Sequence, residues 1–178
     1  MSEALDRLIE RYRTQVDPLI TEYVAEWNSP IYRQPLDEDQ VAWQPVRQLP
    51  ELDFSALETA LELTFHKHVK DYYGRWFAGD LNVIVIHQQQ QHGLSLLQTQ
   101  GPEDADRLLQ NITGHILMKR KLKQPETVFI GLAHEADDLL VSIDNQSGVV
   151  GLEWIGKAQH EVIAQTLDEF LEQCQPQC

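Results

Sequence analysis

The chain has 178 residues, 42% of them hydrophobic, with 28 acidic against 14 basic residues and a formal net charge of −14. That length suits a single domain over residues 1–178 with a real core, and no apolar run reaches the roughly 18 residues needed to span a bilayer. The charge argues against nucleic acid as a main partner and against direct adsorption to anionic lipid, both of which call for Lys and Arg.

The acidic start, residues 1–6, lacks the basic-then-apolar pattern of a secretory signal, so a cytoplasmic protein is expected. The charge is uneven. Residues 1–62 hold 13 acidic and 5 basic residues, residues 63–123 hold 5 and 8, and residues 124–178 hold 10 and 1. An acidic surface ordinarily provides solubility; the sharper reading is a docking face for a basic partner. Cys174 and Cys178 fall in the tail and read as free thiols of a reducing compartment.

In chain order, the spacing of Leu5, Leu8, Ile9, Tyr12, Val16, Leu19, Ile20, Tyr23, Val24 and Trp27 predicts a first helix from Glu3 to about Trp27. Pro18 should kink it or restart it with Asp17 as a cap. Residues 28–50 contain four prolines and little periodicity, and read as an ordered loop pinned by Tyr32 and Trp43. A second helix is expected from Ser55, with Glu58 completing a capping box, to Gly74, along Leu57, Leu61, Phe65, Val69 and Tyr72. His66 and His68 inside it would point about 200° apart, too far round to share a metal.

The stretch from Leu81 to Val150 organises the rest. It holds a β-branched run to His87, a polar break from Gln88 to Gly93, and a second apolar run, Leu94 to Thr99. A helix follows from Glu103 to about Lys121, opened by Gly101-Pro102 and closed before Pro125. Then come a run from Thr127 to Ala133 and a hairpin over Leu139–Ile143 and Val149–Ile155. The fold class expected is α/β (α+β): about five mostly antiparallel strands with helices packed around them. A last helix is expected from about Ala158 to Cys174. The cations at 119–123 read as a cluster suited to a helix C-terminus.

Catalytic patterns are sparse. There is no Gly-x-Ser-x-Gly elbow and no His-Glu-x-x-His, and the glycines at 148 and 151 sit in a strand rather than a phosphate loop. His134 and Glu135 with Asp137 and Asp138 lie in a turn where acids are ordinary. His87 and His92 flank the glutamine turn and read as an intermolecular contact or nothing, ahead of a metal site. His115 reads as a satisfied core or rim histidine. Glu58 and Glu62 are four apart on one helix face, where like charges repel by a few tenths of a kcal/mol, a repulsion that a cationic partner would offset.

Several ordered patches carry a resemblance: Glu38-Asp39-x-Val41-x-Trp43-Gln44-Pro45, Phe77-Ala78-Gly79-Asp80, Leu96-Leu97-Gln98-Thr99, Gly114-His115, and Lys121-Leu122-Lys123-x-Pro125-x-Thr127-x-Phe129-Ile130. Ser147-Gly148 and Glu169-Phe170-Leu171 also fit. Over residues 38–171 the chain resembles the Syd family of SecY-interacting proteins, part of the wider SUKH superfamily. The resemblance implies a non-enzymatic single domain without cofactor or metal. It also implies attachment to the cytoplasmic side of the inner membrane, indirectly, through SecY of the protein-export translocon. There it would monitor or restrain abnormal or uncomplexed SecY with an acidic concave face, as a monomer.

The acids at matching positions, and the candidates for that face, are Glu38, Asp39, Glu58, Glu62 and Asp80. Charge agrees independently: cytoplasmic loops of membrane proteins are rich in Lys and Arg, and opposed fields favour fast, salt-sensitive attachment. Two alternatives stay open. One is an immunity module of the superfamily against a basic toxin. The other is a hydrolase using His134, Glu135 and Asp138.

Overall fold

The computed structural model describes residues 3–177. α1 (Glu3–Gln15) buries Leu5, Leu8, Ile9 and Tyr12 along one face, but the helix expected to reach Trp27 stops there. Pro18 has no amide hydrogen to donate, and it disfavours helical geometry in the residue before it. The chain neither kinks nor restarts at Asp17; it turns into β1 (Ile20–Glu22) and a single 3-10 turn, Ala25–Trp27.

The proline-rich segment is also more than a loop. β2 (Tyr32–Pro35) and β3 (Gln40–Trp43) join β1 in an antiparallel sheet of order β1-β3-β2, with Tyr32 opposite Trp43. β4 (Val46–Arg47) pairs with β5 (Trp76–Phe77). Prolines are tolerated because these strands are short, and Pro30, Pro45 and Pro50 fall outside them.

The single helix expected from Ser55 to Gly74 is two, α2 (Ser55–Leu61) and α3 (Lys67–Gly74). Glu62 breaks it by adopting a left-handed conformation, φ 53°. Ser55 is the first helical residue rather than the cap, and its amide donates to Asp53 Oδ1 at 2.8 Å. Glu58 therefore does not close a capping box; its Oε2 accepts the Phe65 amide at 2.8 Å. His66 caps α3, with Nδ1 accepting the His68 amide at 3.0 Å. The two rings stand 4.3 Å apart, so these histidines are neighbours.

The main sheet begins with β6 (Leu81–His87), whose alternate residues Leu81, Val83 and Val85 are fully buried. Gln88 and Gln89 both take positive φ, 50° and 65°, the geometry of a tight two-residue hairpin. The expected break to Gly93 is thus only two residues long, and β7 (Gln90–Leu96) starts at once. α4 (Pro102–Lys121) crosses over to β8 (Thr127–Ala133), followed by the meander β9 (Leu139–Asp144) and β10 (Val150–Trp154).

The segment read as one last helix contains β11 (Glu161–Ala164) before α5 (Leu167–Gln173), and the tail forms β12 (Gln175–Pro176) on β6. The sheet has seven strands, order β11-β10-β9-β8-β7-β6-β12, where five were expected. Every pair in it is antiparallel. Three apolar residues in a row, Val162 to Ala164, cannot distinguish strand from buried helix by periodicity, and that is where the two readings part.

α1 packs against α5 and β12, α4 against β8, and a single core cluster takes residues from all five helices and the main sheet. Two expectations about charge and thiols change. Lys119 is not part of a solvated helix end: its ammonium is fully buried, 3.0 Å from Glu153 Oε2. Cys174 is a free thiol as expected but sits in the core, fully buried, rather than in a frayed tail; Cys178 lies outside the described residues.

Candidate partner-binding cleft

Asp80 sits just before β6, on the floor of a cleft of about 640 Å³. One wall is β1 with the 3-10 turn, contributing Thr21, Glu22 and Trp27; the other is the first half of α4, contributing Asp104, Arg107 and Asn111. Asn82 and Ser95, cross-strand partners on β6 and β7, complete the floor. Ser95 Oγ donates to Asn82 Oδ1 at 2.9 Å and lies 3.0 Å from His134 Nε2.

Local sequence explains the α4 wall. Gly101 caps the helix, Pro102 occupies its first position, and Asp104 places a carboxylate where the first turn has unpaired amides. Asp104 Oδ2 accepts the Gln100 amide at 2.9 Å, and its Oδ1 accepts Arg107 at 2.9 Å. Gln100 ties the opposite wall, donating to Thr21 Oγ1 and accepting from Tyr32 Oη, each at 3.1 Å. The walls are therefore fixed to each other by side chains about 80 positions apart in the chain.

Among the described residues lining the cleft, three are acidic (Glu22, Asp80, Asp104) and one is basic, Arg107. That cation is engaged twice, by Asp104 and by the Trp27 ring 4.9 Å below its guanidinium. Asp80 is engaged by neither. Its carboxylate meets solvent, yet the surrounding walls restrict hydration. This burial, together with the charge of Asp104, pushes it up to about 6 against the opposing pull of Arg107. The lining of the cleft thus carries net negative charge.

The other four acids singled out from sequence lie elsewhere. Glu58 and Glu62 border a separate shallow depression with Ser55 and Thr64. They do not face each other along a helix, because Glu62 has left it; Glu58 instead holds Lys70 Nζ at 3.0 Å and the Phe65 amide. Glu38 and Asp39 are exposed on the β2–β3 turn, where Asp37 Oδ1 accepts the Asp39 amide at 2.8 Å.

Glu22, Asp104 and Arg107 were missed. Glu22 falls inside the first helix expected from sequence, and Asp104 inside the helix expected from Glu103. Neither carries a local signal for a cleft that forms when residues 21 and 100 meet. The alternative hydrolase residues do not converge on one centre: His134 contacts Ser95, Glu135 contacts His92, and Asp138 accepts the Ile155 amide through its backbone at 2.9 Å.

A family model described as Syd protein (SUKH-2) matches residues 2–176. The chain is 58% identical over 177 residues to Protein Syd of Idiomarina loihiensis, covering 99% of this chain and 94% of that one. It is 42% identical over 160 residues to Protein Syd of Pseudoalteromonas translucida, covering 89% and 86%. With Protein Syd of Pseudoalteromonas atlantica it shares 38% over 183 residues, covering 99% and 96%. A match across almost the whole chain, joined to this α/β architecture, means that the chain belongs to the Syd family.

Proposed function

We propose that this protein binds the SecY subunit of the protein-export translocon from the cytoplasmic side of the inner membrane, without catalysing a reaction, and restrains SecY that is abnormal or uncomplexed. The observation that carries this reading is the charge of the cleft: three carboxylates, with the one guanidinium already held by Asp104 and Trp27. Cytoplasmic loops of membrane proteins are enriched in Lys and Arg, and a cleft of this sign suits one such basic segment.

The net charge of −14 opposes adsorption to anionic headgroups, and no helix among the described residues is long and apolar enough to cross a membrane. Attachment through a protein partner satisfies both. Asp80 is the acid assigned to the contact, with Glu22 on the wall of the same cleft. Glu38, Asp39, Glu58 and Glu62 add negative charge outside the cleft and are assigned an accessory role.

Co-sedimentation with inverted inner-membrane vesicles, normal or enriched in SecY, tests the reading. Binding should rise with SecY, fall between low and high salt, and be reduced at least several-fold by Asp80→Lys or Glu22→Lys. Binding indifferent to SecY, or unchanged by salt, overturns it. Capture of a soluble basic protein in preference to SecY would instead support an immunity role.

A further inference from the structure

The strand order separates β11 from β7 by β10, β9 and β8. In a flat sheet that is four steps of about 4.8 Å, roughly 19 Å, more than two side chains can bridge. Yet Glu161 Oε2, at the start of β11, lies 4.0 Å from His92 Nε2 on β7 and 4.0 Å from His87 Nε2 at the end of β6. The sheet therefore curls until its β11 edge meets the β6–β7 hairpin. Alternation places the imidazoles inside this curl: His92 is the cross-strand partner of the fully buried Val85, and His87 is two residues beyond Val85 on β6.

Two observations mark this end of the sheet as a ligand site. His92 is only 3% exposed, and the Nε2 atoms of both histidines are buried with no hydrogen-bond partner. Such orphaned polar atoms are uncommon in folded proteins and call for an occupant. In addition, His92 Nδ1 is bonded to a carboxylate oxygen of Glu135. A carboxylate only accepts, so Nδ1 carries a proton, and in the neutral imidazole that leaves Nε2 as the acceptor. A carboxylate orienting a histidine through its far nitrogen is the usual support of a metal ligand.

We propose that His87, His92 and Glu161 form a binding site for a divalent transition-metal ion, with zinc the best match. Two imidazole nitrogens and one carboxylate oxygen are a zinc donor set that leaves a fourth position for water. Magnesium and calcium, which take oxygen ligands, fit poorly. Among the described residues no three such side chains already stand at ligand spacing. A tetrahedral site with bonds of about 2.05 Å needs donors about 3.3 Å apart, so the two 4.0 Å gaps from Glu161 Oε2 to the imidazoles must each shorten by about 0.7 Å. Glu161 can supply that movement, since its side chain is 35% exposed at the first position of a strand. Bound metal would clasp β11 to the hairpin and lock the curl of the sheet.

The test is zinc titration of the full-length, chelator-stripped protein against a chromophoric competitor, with cobalt(II) absorption as a second readout and thermal melting as a third. One site per chain, visible cobalt bands and a zinc-dependent rise in Tm are expected. Glu161→Gln and His87→Gln should each weaken binding at least tenfold, and Glu135→Gln by about 10- to 100-fold. His160→Gln, exposed and outside the cluster, should change nothing. His92 is interior, so the decision rests on the two more accessible ligands, with circular dichroism confirming that each variant is folded. Zinc binding by the unaltered protein no tighter than by the His87→Gln/Glu161→Gln double variant, or absence of cobalt bands, overturns the proposal and leaves water as the occupant.

Discussion

Lys119 Nζ lies 3.0 Å from Glu153 Oε2, and neither side chain reaches solvent. The ammonium also donates to the Lys157 carbonyl at 2.7 Å and Gln124 Oε1 at 3.2 Å, which uses all three of its hydrogens. Glu153 Oε1 accepts Thr127 Oγ1 at 2.7 Å and stands 3.3 Å from His115 Nε2. The network pins the end of α4 to β8 and β10, behind the cleft wall that the first half of α4 supplies.

Removing one partner leaves the other charge buried and uncompensated. Lys119→Met should therefore destabilise the fold by about 3–5 kcal/mol. Lys119→Met with Glu153→Leu should cost much less than the sum of the two single changes. Urea unfolding of the double-mutant cycle reads this directly; strict additivity would show that the pair is not coupled.

Acid stability should depend on the same carboxylate. Burial by itself would raise Glu153, but hydrogen bonds from His115, Thr127 and Lys119 outweigh it and hold the group below the usual carboxylate range. At Asp6, likewise, burial raises the carboxyl, and bonds from Arg75 and Trp76 overcome it and hold the group low. A carboxylate lowered in the folded state contributes stability above its unfolded value, about 4, and loses it as pH falls through the folded value. Wild-type stability should drop as pH falls below about 4, and the drop should be shallower in Asp6→Asn, judged by denaturation midpoints across the acid range.

Asp80 has the opposite sign. Its carboxyl is raised to about 6, so it favours the folded state below the unfolded value and loses that contribution as pH rises through about 6. Asp80→Asn should therefore gain on wild type at pH 8 and not at pH 4. The same proton should weaken cation binding: affinity for a Lys/Arg-rich peptide should fall between pH 7 and 5 in wild type and stay flatter in Asp80→Asn.

Cys174 offers a probe of native opening. Burial pushes its thiol up to about 12 against the pull of Arg11, and Sγ donates to the Phe170 carbonyl at 3.3 Å. In a Cys178→Ser background, alkylation by iodoacetamide should be very slow in buffer and fast in denaturant, because only the exposed thiolate reacts. Rapid labelling under native conditions would mean that α5 and β12 open locally.

The elements legible from sequence were those long enough for one period to dominate. The helix over 102–121 and the strands over 81–87, 127–133 and 139–144 stand where hydrophobic spacing placed them. Short elements were not legible: Ile20–Glu22 and Glu161–Ala164 carry too few residues to separate a period of two from one of 3.6, and each was absorbed into a neighbouring helix. At the cleft, Asp80 was recognised as a candidate, whereas Glu22 and Asp104 gave no local sign.

By itself the sequence determined the α/β class, the family, the excess negative charge and the absence of a familiar catalytic pattern, because composition, patterning and ordered motifs are properties of the chain. Only the tertiary structure decided which charges matter. Lys119 looked like a solvated helix end and is sealed against Glu153. Glu58 looked like half of a repelling pair and holds Lys70. Asp80 is left facing an open cleft walled by residues some 80 positions apart. Whether a charge is spent internally or offered to a partner depends on what packs around it, and those neighbours are remote in sequence.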